Sequence, residues 1–450
     1  MNRGGFDKVL VANRGAAAAR VIRALNELGI ASVAIYSEAD SGAPYLAAAS
    51  EAHCVGPPPA RESYLDQARI LAVAAATGAG AIHPGYGFLS ENAAFARGVE
   101  AAGLVFIGPS PRWIEAMGEK TEARALMGRH GLPVAAGSGL LDPSTDVEAA
   151  ARAIGFPVLV KPAAGGGGIG MIVARDEAGL GKAVARARSM ATRSFGNGHL
   201  YLERYLDRPR HIEFQVLGDR HGAVRHLFER DCSLQRRHQK VVEEAPAPGL
   251  TRTELDGMAE TVTRVLAAIG YDNIGTVEML RAEEGGFAFL EMNTRLQVEH
   301  AVTEMVTGLD LVKGQIRSAA GEVLADILPA EIRLDGHAVE ARIYAEDPDT
   351  FMPSPGPLRR FRLCEPVQGI RVETGYAEGG EVTPFYDPML AKVIAHAPTR
   401  AEALDRLADA LAAIEIEGVR TNISFCLKAL RHAGFRQGAV HTGLAGEIAA

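Results

Sequence analysis

Strand-like and helical segments alternate over the first hundred residues, and this order restricts the fold more than any other feature of the chain. Lys8–Val11 is apolar, 16–28 is rich in alanine, and 30–36 is apolar again. The same order returns around 70–82 and 95–107. Repeats of strand, helix and strand predict a parallel sheet covered by helices, so we expect an α/β protein.

The middle of the chain carries a run of glycines between two strand-like segments. Thr145 and Glu148 form a capping box that predicts the start of a helix, and the strand-like segments 156–160 and 169–173 follow. The glycines at 165–168 therefore join one strand to another. A Walker loop requires a strand, a loop ending in Gly-Lys-Ser/Thr and then a helix, so this class of phosphate site is excluded.

The same glycine run predicts a different kind of phosphate site. Lys161 lies just before it and supplies a positive charge. The backbone N–H groups of Gly166, Gly167 and Gly168 are free of side chains and can approach a polyphosphate. A flexible hairpin turn is the alternative, although ordering consecutive glycines costs conformational entropy.

A hairpin further along the chain brings acidic residues together. A two-residue turn centred on Glu284 and Gly285 would place Glu278 opposite Glu291. Opposed carboxylates repel each other and therefore require a cation. Two carboxylates and the amide of Asn293 suit Mg²⁺ beside phosphates. An edge hairpin with a solvated acidic face is the alternative.

Polar residues continue beyond this hairpin with the same alternation. If the chain stays extended, one face carries the polar side chains of Glu291, Asn293, Arg295, Gln297 and Glu299. A basic cluster, Arg-Arg-His-Gln-Lys at 236–240, adds a candidate anion site, although such clusters are usually solvated strand faces. A phosphate cradle, a Mg²⁺ hairpin, an anion pocket and a carboxylate base together predict the ATP-dependent activation of an acid.

Composition excludes several other classes of protein. The net charge is −8, which argues against non-specific nucleic-acid binding. The four cysteines are scattered without CxxC spacing, so neither a zinc site nor a disulfide framework is expected. The uncharged segment 70–90 is interrupted by glycines, His83 and Pro84, and the first residues lack a signal sequence. We expect a cytoplasmic protein with no membrane partner.

Long motifs spread over the chain resemble the biotin carboxylase family, whose members are ATP-grasp enzymes. The motifs lie at 12–15 (Ala-Asn-Arg-Gly), 83–92, 229–233, 236–248 and 291–300. The resemblance runs from about Lys8 to Gly443 and is greatest to the free-standing biotin carboxylase subunit.

The resemblance implies three domains. A Rossmann-like parallel-sheet domain is expected at 1–115, and a mixed α+β domain at 331–450. Between them, 116–330 is expected to form an ATP-grasp domain, with a glycine-rich lid at about 134–205.

The resemblance also assigns roles to residues by their place in the matched motifs. The positions that match nucleotide contacts are Lys120, Lys161, Gly166, Gly167, Gly168, Glu203, His211, Gln235, His238 and Leu280. The positions that match metal ligands are Glu278, Glu291 and Asn293. The positions that match bicarbonate contacts are Lys240, Arg295, Gln297 and Val298. Glu299 matches the base, and Arg342 matches the arginine that stabilises the biotin enolate. Without the family, an ordinary strand-to-loop ion pair is the preferred reading of Arg342.

The implied reaction is the carboxylation of biotin. Glu299 would deprotonate bicarbonate, which attacks the γ-phosphate of ATP to give carboxyphosphate. This intermediate would break down to CO₂ and phosphate, the phosphate would take a proton from biotin, and the enolate would attack CO₂. Lys240, Arg295 and Arg342 would stabilise the anions, with ATP and Mg²⁺ or Mn²⁺ as cofactors.

Partners follow from the same resemblance. In this family the turn that bears biotin has the sequence Met-Lys-Met, and the present chain contains no such tripeptide. We therefore expect biotin to arrive on a carboxyl carrier protein. A carboxyltransferase subunit and a homodimer are expected by analogy.

Two departures from the family keep alternatives open. Ile169 stands where acetyl-CoA-type enzymes usually carry Arg or Lys, which hints at a urea-type carboxylase. Alanines at 16–18 replace the usual Glu-Ile-Ala. Another ATP-grasp ligase that joins a carboxylate to an amine is the second alternative.

Overall fold

The computed structural model describes residues 5–142, 144–163, 169–364 and 367–449. Its N-terminal part alternates strands and helices in the predicted way. The elements are β1 (Lys8–Val11), α1 (Gly15–Glu27), β2 (Ala31–Tyr36), α2 (Tyr45–Ala48), β3 (Glu51–Cys54), α3 (Gln67–Thr77), β4 (Ala81–His83), α4 (Ala93–Ala101) and β5 (Val105–Phe106). The strands pair in parallel in the order β3-β2-β1-β4-β5, which confirms the predicted parallel sheet.

Successive residues of β1 explain why helices cover both faces of this sheet. Val9 and Val11 pack in the cluster that contains Val21 of α1. Leu10 points to the other face and packs in the cluster that contains Ile70 of α3. All the side chains of β1 after Lys8 are buried, as expected for a strand between two helical layers.

A three-stranded antiparallel sheet follows, in the order β7-β6-β8. The elements of this part are α5 (Pro111–Gly118), α6 (Lys120–Arg129), α7 (Val147–Ile154), β6 (Val158–Pro162), β7 (Ile172–Ala174), α8 (Glu177–Phe195) and β8 (Leu200–Arg204). The predicted capping box at Thr145 is wrong. The carboxylate of Asp146 accepts the N–H of Ala149 and caps α7, whereas the hydroxyl of Thr145 accepts the N–H of Asp142.

A large eight-stranded sheet forms the centre of the molecule, in the order β13-β12-β9-β10-β11-β14-β19-β17. Its first strands and their helices are β9 (Arg210–Gly218), β10 (Val224–Arg236), β11 (Gln239–Ala245), α9 (Arg252–Ile269), β12 (Asn273–Arg281), β13 (Phe287–Asn293), α10 (His300–Thr307), α11 (Leu311–Ala319) and α12 (Leu324–Ile327). All pairings that involve β9 to β13 are antiparallel.

The last part of the chain completes the same sheet. Its elements are β14 (His337–Tyr344), β15 (Gly356–Pro357), β16 (Arg360–Arg362), β17 (Ile370–Thr374), β18 (Glu381–Val382), β19 (Met389–Ala397), α13 (Arg400–Ala412), β20 (Glu415–Glu417), α14 (Ile423–Arg431), α15 (Ala433–Arg436) and α16 (Leu444–Ala449). β14 pairs with β11, so one sheet continues across the position at which we expected the second domain to end.

The hairpin of β12 and β13 has the predicted pairing but not the predicted turn. Glu278 lies opposite Glu291, as expected. Near the turn, however, Arg281 pairs with Phe287, one residue out of the register of a two-residue turn. A bulge at Leu290 restores the register, because Met279 pairs with Phe289 and Glu278 with Glu291.

The longest helices, α8 and α9, have 19 and 18 residues. Both begin at a side-chain cap, in which Asp176 accepts the N–H of Gly179 and Thr251 accepts the N–H of Glu254. Across the described ranges, no helix combines the length and the apolar character that crossing a membrane requires.

The C-terminal part packs against the N-terminal part, and two of the contacts are made by Tyr386 and Gly375. The hydroxyl of Tyr386 lies 2.6 Å from Oγ of Ser37 and donates to the carbonyl of Pro58 at 2.5 Å. Gly375 approaches the start of α1 so closely that a Cβ there would lie 2.2 Å from the Cα of Gly15. Only a residue without a side chain fits this contact.

We therefore expect Gly375→Ala to lower the free energy of unfolding by about 1–3 kcal/mol, because backbone atoms must move to admit the methyl group. Urea unfolding followed by tryptophan fluorescence measures the change. Gly42→Ala is the matched control, since Gly42 lies beside the same contact region and a Cβ there meets nothing within 4 Å. Equal stability of the two variants would contradict the expectation.

Candidate active site

Three carboxylates form a row across neighbouring strands of the large sheet. Glu278 on β12 lies opposite Glu213 on β9 and opposite Glu291 on β13. Opposed residues of antiparallel strands point to one face, so the three side chains share that face. Glu213 and Glu278 are buried, and the side chain of Glu291 is 34% exposed. Because like charges in opposition are destabilising, the row requires cations.

The ammonium of Lys240 on β11 supplies the central cation. Its Nζ lies 2.5 Å from Oε2 of Glu213, 2.8 Å from Oε1 of Glu278 and 2.6 Å from Oε1 of Glu299. Burial opposes the charge, but the three carboxylates raise the pKa of Lys240 well above its ordinary value. Arg230 adds a second cation, with Nε 2.5 Å from Oε1 of Glu213.

Glu299 lies where two cations meet. Its Oε1 accepts from Lys240, and its Oε2 lies 2.9 Å from Nη2 of Arg342. Burial favours the neutral acid, but the charges of Lys240, Arg342 and Arg230 hold the pKa of Glu299 well below its ordinary value. The side chain is therefore ionised at neutral pH and has the charge state of a proton acceptor. The thiol of Cys232 lies 3.9 Å away and stays neutral, because burial raises its pKa.

Glu278 is surrounded by further donors. Asn293 and Gln297 donate their amide N–H groups to Oε1 at 2.8 and 3.0 Å. Nε2 of His211 lies 2.9 Å from Oε2. Burial lowers the pKa of His211, but Glu278 outweighs it and raises that pKa. Gln235 lies 2.8 Å from Nδ1 of the same ring, so these predicted contacts form one network.

Arg295 links this network to the N-terminal part. Its Nε donates to Glu91 at 2.7 Å, and its Nη groups donate to Gln297 at 2.7 Å and to Asn293 at 2.8 Å. The predicted extended face from Glu291 to Glu299 is wrong, since β13 ends at Asn293 and the chain then turns into α10. The polar side chains nevertheless line one cavity, because the turn carries them around it.

The two predicted phosphate lysines approach the cavity from different elements. Lys120 at the start of α6 lies 3.2 Å from Oε2 of Glu291. Lys161 on β6 is buried and lies 2.7 Å from Oε2 of Glu203, which Arg124 also binds at 2.7 Å. Among the predicted nucleotide contacts that the structure describes, Glu203 and Leu280 do not line this cavity, whereas His238 does. The predicted Gly166, Gly167 and Gly168 lie outside the described residues.

Two cavities meet at a shared wall. The first, of about 290 Å³, is lined by both lysines, the carboxylates and Lys240. The second, of about 450 Å³, is lined by Tyr86, Phe88, Tyr386 and the start of α1. Arg295, Val298 and Arg342 line both cavities. These three residues therefore contribute to both cavities.

The donor set on the carboxylate row fits a divalent cation. Glu278, Glu291 and Asn293 offer the hard oxygen ligands that Mg²⁺ prefers. The row already attracts cations, since Lys240 lies against Glu278 and Lys120 against Glu291. A further group of potential ligand atoms, on His211, Glu213 and Glu278, lies within 4.8 Å of one another.

Two more carboxylates lie behind Arg342. Glu243 on β11 accepts from Nε of Arg342 at 2.5 Å and lies opposite Glu340 on β14. Burial raises the pKa of Glu243 to about 7 and that of Glu340 to about 8. Neither carboxylate oxygen of Glu340 has a hydrogen-bond partner among the described residues.

Sequence reasoning missed several residues that build the site. Glu213, Glu91 and Glu243 contact predicted residues, and Arg230 binds Glu213, but none of the four received a role. A signal for Glu213 was present, since polar residues alternate with apolar ones along β9 (Arg210–Gly218). Its pairing partner is more than sixty positions away, however, and local patterns do not show such pairings.

The fold and the site define an ATP-grasp ligase, in which a small antiparallel sheet and a large one enclose a cavity that has lysines on one side and carboxylates on the other. Comparison with models of protein families supports this assignment. The biotin carboxylase N-terminal domain matches residues 5–114, the ATP-binding domain of the carbamoyl-phosphate synthase L chain matches 119–327, and the biotin carboxylase C-terminal domain matches 340–446.

Known proteins are similar over the full length. The biotin carboxylase of Halalkalibacterium halodurans is 52% identical over 97% of this chain and 96% of its own. The biotin carboxylase domain of 2-oxoglutarate carboxylase from Hydrogenobacter thermophilus, solved as a dimer with MgADP, ADP and bicarbonate, is 46% identical, with a TM-score of 0.94 over 99% of both chains. Biotin carboxylase from Campylobacter jejuni, 41% identical, has a TM-score of 0.95 over 99% of this chain and 100% of its own. The chain belongs to the biotin carboxylase family.

The raised pKa of Glu340 gives a pH-dependent stability. Between about pH 4.5 and pH 8 the folded protein keeps this proton, whereas the unfolded chain loses it. Glu340 therefore lowers the free energy of unfolding by about 1.4 kcal/mol for each unit of pH increase in this range. We expect Glu340→Gln to remove this slope, so that the variant gains stability relative to the wild type from pH 5 to pH 8.

Denaturant unfolding at several pH values measures this difference. Glu331→Gln is the control, because Glu331 is exposed and its pKa is lowered rather than raised. A constant difference between Glu340→Gln and the wild type across this range would show that the carboxyl group is not buried in its neutral form.

Proposed function

We propose that this protein uses ATP and bicarbonate to carboxylate biotin. The observation that carries the proposal is the shared wall of Arg295, Val298 and Arg342 between the two cavities. Phosphoryl transfer needs lysines and carboxylates, and the smaller cavity supplies them. Biotin has a polar ureido ring, an apolar sulfur-containing ring and an alkyl chain, and the larger cavity is lined by aromatic residues and arginines. Bicarbonate held at the wall would be in reach of both substrates.

Glu299 would act as the base toward bicarbonate. In the absence of substrate its charge is neutralised by Lys240 and Arg342, which keeps its basicity low. A bound bicarbonate anion would compete for these cations. The pKa of Glu299 would then rise, and the carboxylate would take the proton as bicarbonate attacks the γ-phosphate of ATP, which forms carboxyphosphate and releases ADP.

Lys120 and Lys161 would hold the phosphates of the nucleotide. Both lysines bind carboxylates, Lys120 with Glu291 and Lys161 with Glu203, so each is already held in position. The small sheet that carries Lys161 would move with the predicted glycine-rich lid at about 134–205. Closing this lid would exclude the water that destroys carboxyphosphate.

Glu278, Glu291 and Asn293 would hold Mg²⁺ or Mn²⁺. When bound, the metal neutralises the charge that develops on the transferred phosphoryl group. The protein's own residues set the row in place, because the pairing of β12 with β9 and β13 fixes the separation of the carboxylates.

Arg342 would stabilise the biotin enolate. Its guanidinium reaches both cavities and is held by Glu243 and Glu299. The phosphate released from carboxyphosphate would take the proton of biotin, and the enolate would then attack CO₂. Arg342 is thus more than an ion pair of the scaffold in this proposal, since it lines the space where the charge develops.

The partners follow from the same reaction. A carboxyl carrier protein would bring biotin to the larger cavity and then take it to a carboxyltransferase subunit. The solved relative from Hydrogenobacter is a dimer, which supports a homodimer for this chain.

The direct test is an assay of ADP formation with Mg²⁺, with and without bicarbonate and free biotin. We expect ADP formation to require bicarbonate and to rise when biotin is added, because both acidic substrates meet at the shared wall. Turnover at full rate without bicarbonate, or stimulation by an amine instead of biotin, would reject the proposal and favour a carboxylate–amine ligase.

A second test concerns the base. We expect Glu299→Gln to lower kcat by about 10²–10⁴-fold, because removing a general base has an effect of this size. The affinity for ATP should change little, since the phosphate lysines do not contact Glu299. Glu331→Gln, on the exposed surface, serves as the control. Near-normal turnover of Glu299→Gln, or failure to bind ATP, would contradict this role.

A further inference from the structure

Lys392 is a fully buried lysine that the proposed reaction does not use. It lies on β19, opposite Arg342 on β14 and opposite Glu373 on β17. Its Nζ lies 2.8 Å from Oε2 of Glu373 and donates to the backbone carbonyl of Val298 at 2.5 Å. The carbonyl it binds therefore belongs to a residue of the shared wall.

Lys392 has one ionised carboxylate partner, so its ammonium keeps N–H groups for that carbonyl. Glu373 is the ionised partner, since burial opposes its charge but Lys392 and Arg371 hold its pKa well below the ordinary value. Glu340 is farther away, with Oε2 3.9 Å from Nζ. Its raised pKa keeps it neutral at pH 7. The lysine is thus a paired cation whose remaining contact is to the main chain.

Scaffold stability alone is a poor reason for this arrangement. A buried ion pair is often no more stabilising than apolar residues of similar size. The alternative reason is the position of the carbonyl. The peptide group that joins Val298 to Glu299 is planar, so a hydrogen bond to its oxygen restrains the orientation of the whole group. The preceding carbonyl, of Gln297, is fixed as well, by Nδ1 of His300 at 2.7 Å.

The orientation of this peptide matters at both ends. Val298 lines the two cavities. The next residue, Glu299, must direct its carboxylate between Lys240 and Arg342, at 2.6 and 2.9 Å. A rotation of the peptide would displace both the wall and the base.

We infer that Lys392 is a positioning residue, which holds the peptide of Val298 and Glu299 in the orientation that bicarbonate binding requires. The inference rests on the proposed function, because it assigns bicarbonate to this wall. Lys392 lies behind the carbonyl and acts through the main chain rather than by touching the substrate.

The test compares the KM for bicarbonate with the KM for ATP. Lys392→Met removes the donor but also takes away one of the cations around Glu373, which keeps its contact with Arg371. The double variant Lys392→Met/Glu373→Gln is therefore measured as well. In both we expect the KM for bicarbonate to rise about 10- to 100-fold, the effect of losing a hydrogen bond from a charged donor. The KM for ATP should stay within about twofold.

Glu373→Gln alone is the matched control, because it disturbs the same ion pair but keeps the donor to Val298. We expect its KM for bicarbonate to stay within about threefold of the wild type, well below the loss of a charged hydrogen bond. A normal KM for bicarbonate in the double variant would overturn the inference, and so would a double variant that fails to fold while Glu373→Gln folds. Failure of the proposed function is recognised separately, since the wild type would then form ADP without any dependence on bicarbonate.

Discussion

The mutual repulsion of Glu213, Glu278 and Glu291 is the constraint on which the site depends. The sheet places these carboxylates side by side, and the pairing leaves them no freedom to separate. Lys240 therefore has to lie among them, and removing a buried cation of this kind costs about 3–5 kcal/mol because the partners stay buried and uncompensated. The same lysine also holds Glu299. One side chain thus neutralises the carboxylates of the sheet and also fixes the position of Glu299.

Arg295, Val298 and Arg342 form the part of the site that the two cavities have in common. The smaller cavity is lined by lysines and carboxylates, and the larger one by aromatic side chains. Arg295 and Arg342 belong to both, and each is held by carboxylates, Arg295 by Glu91 and Arg342 by Glu243. The arginines are therefore ordered before a substrate arrives, and little reorganisation is needed when negative charge develops.

The sequence predicted what depends on neighbouring residues and missed what depends on distant ones. The opposition of Glu278 and Glu291 follows from one hairpin, and even a wrong turn did not change it because a bulge corrected the register. The end of β13 at Asn293 was missed, because alternation of polar residues continues into a turn that packs around a cavity. Glu213 and Lys392 were missed since their partners are set by strand pairing across long stretches of chain.

The contact of Tyr386 with Ser37 and Pro58 affects the order in which the parts of the chain fold during synthesis. Domains generally fold as they leave the ribosome, the N-terminal one first. The N-terminal sheet can form early, but the larger cavity that opens at α1 lacks a wall until the segment from Phe385 to Met389 has been synthesised. A nascent chain therefore carries the folded sheet with the aromatic residues of this cavity uncovered until residues 385–389 have emerged, and the cavity is complete only then.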